Sequence, residues 1–162
     1  MNKHLKLVRE FNDTYALPQA EQGNNAHLSD MDIVTHQALL MAAGSAVLTA
    51  IKSGDRVEIL TGLINLAYHA LAAIAMRGGD VIERPVHWRN DGFVGSIMRI
   101  LSDKINHCTT GKAEDYSELY CLCAHLTNSF INADFDKAFQ MLHESKMSKQ
   151  LKAPDLSECL YE

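Results

Sequence analysis

Between Val34 and Gly79 the chain carries two long apolar segments, VTHQALLMAAGSAVLTAIKSGD and RVEILTGLINLAYHALAAIAMRGG, which meet at Lys52-Ser53-Gly54-Asp55. In the first, Leu40, Val47, Leu48 and Ile51 fall at helical spacing, and in the second Ile59, Leu63, Leu66, Ala70 and Ile74 do the same. That period gives each segment one apolar stripe, and the polar tetrapeptide between them reads as a bend. The spacing predicts an αα-hairpin over 34–79, around which the rest of the chain must pack.

Length and composition extend this to the whole molecule. At 162 residues there is enough chain for one well-buried core. With 47% hydrophobic residues and 3 prolines, the expected fold is all-α, an antiparallel helical bundle of about five to six helices in a single domain, 1–162. The net charge of -5 speaks against nucleic acid as a partner. The run from Val57 to Met76 is long enough to span a bilayer, but Glu58, Asn65 and His69 interrupt it, so a core helix and no membrane association are expected. The opening MNKHLKLVREF is charged throughout and carries no cleavable signal pattern, so a cytoplasmic chain is expected.

In that compartment Cys108, Cys121, Cys123 and Cys159 are expected to be reduced thiols. The grouping of His107, Cys108, Cys121, Cys123 and His125 raises zinc as an alternative. On a helix, however, Cys121 and Cys123 point about 200° apart, and thiols packed as small apolar groups are the better expectation.

The remaining segments follow in order. A first helix is predicted from His4 to Tyr15, then a polar loop from Gln19 to Asp32, in which Ser29 or Asp30 caps the next helix. Gly78-Gly79-Asp80 ends the hairpin. The irregular stretch after it holds Trp88 between Arg84 and Arg89, placed either to stack a base or to cover one end of the bundle. Residues 93–132 repeat the layout of helix, glycine-bearing turn and helix, so a second hairpin related to the first by internal duplication is expected. A C-terminal helix follows over 134–149. At its end Ser145, Lys146, Ser148, Lys149 and Lys152 put hydroxyls and ammonium groups within about two turns, a set able to donate to phosphate oxygens. The same lysines also complement the helix dipole. The acidic tail, Glu158 to Glu162, is expected to be solvated.

Three stretches resemble the all-α nucleoside triphosphate pyrophosphohydrolases, the MazG and phosphoribosyl-ATP pyrophosphohydrolase-like family. LVREFNDTYALP is similar to that family's opening V-x-E-F-H-x-A-F-G-L-P. AFQMLHESKMSK with a later Pro-Asp-Leu resembles its A-F-x-E-V-H-x-S-N-M-S-K ending. The hairpin keeps the apolar frame of L-I-x-E-E-x-x-E-L and E-x-x-D-A-L-x-D-L-x-Y, including Tyr68, but Ala42, Ala43 and Ala46 stand at the first helix's glutamates. Thr61 and Asn65 stand at the second helix's aspartates, and Glu58 alone keeps its charge.

The resemblance implies a four-helix core, dimerisation, and magnesium held by acids that bridge nucleotide phosphates. With one glutamate and one amide left, Glu58 and Asn65 are the residual metal-site positions, and an octahedral dication lacks its usual anionic ligands. The expectation is therefore a protein that binds a nucleotide or another phosphorylated small molecule with weak or no hydrolysis. An active enzyme would use Mg2+ in a site rebuilt from Glu58, Asp103, Asp115, Glu118 or histidines, and a helical dimerisation or interaction module is a further possibility. Phe11 would inherit a place near a nucleotide base.

Overall fold

Rather than one stripe, the helix at Arg56–Arg77 buries residues around most of its circumference, and a helix with so little polar surface is stable only inside a bundle. The computed structural model, which describes residues 1–89, 91–149 and 153–162, places this helix at the centre. Its order is α1 (Lys3–Thr14), α2 (Asp30–Ser53), α3 (Arg56–Arg77), α4 (Val94–His107), α5 (Ala113–Leu126) and α6 (Phe135–Met147). No strand ladder occurs among the described residues, so the chain is all-α.

α3 packs most extensively against α2 and α5, and also against α1 and α6. Leu63, Ile64, Leu66, Ala67, Leu71 and Ile74 are almost wholly buried as a result. The hairpin starts at Asp30, earlier than the expected Val34 and inside the stretch expected as loop, and its ends carry local stop and start signals. Ser29 caps α2 by accepting from the Asp32 amide at 3.1 Å. Gly54 ends α2 in the left-handed conformation at φ 76°, and Asp55 immediately caps α3 through the amides of Val57 and Glu58. Of the stripe expected on α2, Leu40 and Val47 are buried, whereas Leu48 and Ile51 are half-buried.

The second half matches in helices but not in packing. α5 lies chiefly on α3 rather than on α4, so residues 93–132 are not a copy of the first hairpin in their contacts. α5 also stops earlier than the predicted Asn132: Thr127–Ile131 form a π turn, and Asn132 leaves it with φ 57°. The acidic tail is a correction to the expected solvated end. Tyr161 N donates to the Asn132 carbonyl at 2.8 Å, Ala133 and Leu160 form a bridge, and Cys159 is buried. Apolar Leu156, Cys159 and Leu160, spaced among the acids, dock the tail on the bundle.

Candidate functional site

A cleft of about 850 Å³ opens between α2, α3 and α6. Helical periodicity builds each wall. On α2, Ala42, Ser45, Ala46 and Thr49 recur at three- and four-residue steps on one exposed face, and on α3 Glu58, Thr61 and Asn65 do likewise. Gly62 forms the floor, where a Cβ would lie 2.9 Å from Val47 Cγ2 and 3.3 Å from its Cα. Glycine therefore lets α2 and α3 approach beneath the opening. α6 closes the third side with Leu142, Ser145 and Lys146.

Two groups predicted from separate parts of the sequence thus meet: Glu58 and Asn65 from the hairpin, and Ser145 and Lys146 from the C-terminal helix. Glu58 is exposed and accepts from Ser53 Oγ at 3.2 Å. The Lys146 ammonium sits 4.8 Å from the centre of the Tyr68 ring, and its burial pulls its pKa below the usual lysine range. Ser148 and Lys149 do not line the cleft: Ser148 Oγ donates to the Ser145 carbonyl, and Lys149 lies over Tyr15. Lys152 lies outside the described residues. Ser45 and Thr49 add hydroxyls that were not anticipated. Their placement four residues apart, on the face shared with Ala42 and Ala46, was the available sign.

Behind the cleft Tyr68 stacks on Phe139 at 5.4 Å and meets Phe11 edge-on at 6.0 Å, and its hydroxyl is 3.2 Å from His143 Nδ1. His143 Nε2 lies 3.6 Å from Glu10. His69, one turn along α3 from Asn65, is brought down to about 4 by burial, reinforced by the charges of Lys146 and His36. Burial lowers His4, His36 and His143 as well.

A histidine held below its unfolded value stays neutral in the fold, so the unfolded chain binds more protons in acid. The stability tied to neutral His69 is complete above pH 6.5 and is lost as pH falls toward about 4. Between pH 7.5 and 5 we expect a loss of about 1–2 kcal/mol from this residue. His69→Gln should flatten the dependence of melting temperature on pH across that interval; an unchanged slope would place the titration elsewhere.

The donor set does not fit a protein-held magnesium ion. Among the described residues Glu58 is the single carboxylate lining the cleft, and no three His, Cys, Asp or Glu side chains converge to hold a metal. Asp103, Asp115 and Glu118 lie outside the cleft. Glu118 accepts from Lys104 Nζ at 2.9 Å, Asp115 accepts from the Thr110 hydroxyl, and Asp103 is exposed on α4. The cysteines do not form a cluster with His107 and His125 either. Cys108 and Cys123 are buried, and burial raises both thiols, Cys108 to about 12. Comparison of the chain with protein-family models, with curated proteins and with solved structures finds no match. The chemistry of the cleft has to be read from its own residues.

Proposed function

We propose that the protein binds a nucleotide or another phosphorylated small molecule in the cleft between α2, α3 and α6, and hydrolyses it weakly or not at all. One observation carries this reading: the helix end that resembles the family's C-terminal motif puts Ser145 and Lys146 in the same cleft as the residual metal-site positions Glu58 and Asn65. An ammonium, hydroxyls and a side-chain amide suit phosphate oxygens. A lone carboxylate supplies neither a dication cage nor a second charge to activate water.

The test is a melting-temperature screen of nucleoside mono-, di- and triphosphates with and without magnesium, run beside a pyrophosphate-release assay. Stabilisation without pyrophosphate is expected, and Glu58→Ala should leave it intact or strengthen it, because a like charge facing the phosphates is removed. Magnesium-dependent pyrophosphate release that disappears in Glu58→Ala would establish an active enzyme instead.

α2 favours a second copy of the chain as a further partner. Met31, Val34 and Met41, which share one side of the helix, are 70%, 57% and 60% exposed. The most apolar window of α2 is 33% buried, against 72% for α3. Laid antiparallel on its own copy, α2 would set Asp30 and Asp32 of its first turn beside the Lys52 of the other chain's last turn, covering the apolar face with matched charge at both ends. Sedimentation should show a dimer that Val34→Glu dissociates; a monomer at all concentrations would reject it.

A further inference from the structure

Residues 84–88, after α3, run as a strap beside α4 and α5. Beneath it lies a crevice of about 480 Å³, within the range of small-molecule sites. Its walls are apolar: Val86 and Trp88 from the strap, Ile100 from α4 and Leu122 from α5, with the half-buried Cys121 thiol beside them. Trp88 is fixed edge-on to His125, with ring centres 6.4 Å apart. Val86, Trp88 and Ile100 are half-buried, and an occupant would displace the water left on them.

The rim carries two cations against one carboxylate. Lys104 Nζ donates to Glu118 Oε2 at 2.9 Å, which commits both groups. Arg84 Nη1 is 3.9 Å from Glu118 Oε1, beyond hydrogen-bond distance, and among the described residues its guanidinium makes no hydrogen bond. A half-exposed arginine fork at the mouth of an apolar slot is the geometry that receives a carboxylate through two parallel N–H donors. The rim's net single positive charge balances a monoanion, whereas a phosphate dianion would leave excess negative charge beside Glu118.

We propose that this crevice is a second ligand site, independent of the α2–α3–α6 cleft, for a small planar molecule with one carboxylate, its body against Trp88 and Ile100 and its acid on Arg84. The chain has one tryptophan, so Trp88 contributes a single indole N–H signal to a ¹⁵N spectrum. Titration with trans-cinnamate should move that signal saturably, with half-saturation at about 0.1–3 mM as ligand efficiency allows for so small a molecule. The neutral analogue cinnamamide should bind about tenfold more weakly, for want of the charge-assisted pair. Arg84→Gln, at an exposed position, should reduce cinnamate to the level of the amide, and Lys146→Met should leave it unchanged. Equal binding of acid and amide, indifference to Arg84→Gln, or the absence of a saturable shift would each overturn the proposal.

Discussion

Tyr68→Ala is expected to lower the free energy of unfolding by about 3–5 kcal/mol, in the range of buried aromatic truncations. The ring is 3% exposed and joins three helices, stacking on Phe139 of α6, meeting Phe11 of α1 and sitting under the Lys146 ammonium. Alanine would leave a cavity at that junction and strip the cover from a partly buried cation, two losses that add. Tyr68→Phe keeps the ring and removes the hydroxyl near His143, for an expected cost of about 1 kcal/mol. Urea denaturation of both variants separates packing from hydrogen bonding. A cost below about 1 kcal/mol for alanine would mean that α1, α3 and α6 do not meet at this ring.

Lys146→Met should weaken binding of a phosphorylated ligand by about 10- to 100-fold, the range for one charge-assisted contact to phosphate. The fold should tolerate the change. Burial already disfavours the ammonium, and methionine keeps the unbranched stem over Tyr68 without a charge to desolvate. A thermal stability equal to or above that of the parent, together with lost ligand stabilisation, is therefore expected. Lys149→Met serves as the internal comparison, since Lys149 lies over Tyr15 outside the cleft and should change affinity by a few-fold at most. Equal losses at the two positions would point to a diffuse electrostatic contribution rather than to a built site.

The helices themselves were readable from residues near one another in the chain. Ser29, Gly54, Asp55 and Gly78 each act within one turn of a helix end, so the bounds of α2 and α3 follow from local hydrogen bonding and backbone freedom. The tail was misjudged because its acids dominate composition, whereas Cys159 and Leu156 dock through surfaces supplied by distant helices. The similarity of the two hairpins was equally a matter of local pattern. Which neighbour α5 prefers depends on the apolar faces α3 offers around its whole circumference, and no stretch of 93–132 contains that information.

For the candidate site the division is the same. Residue types and helical spacing put Ser145 and Lys146 at a helix end, and the family resemblance marked Glu58 and Asn65 as the remnant of a metal site with too few acids for magnesium. Only the tertiary structure decided that these two groups meet across one cleft, that Lys149 turns away to Tyr15, and that Arg84 stands at an apolar crevice. Side-chain phase along a helix is set by a fixed rotation per residue. Which helix faces come together is set by burying apolar area from the whole chain at once, a quantity that no single segment carries.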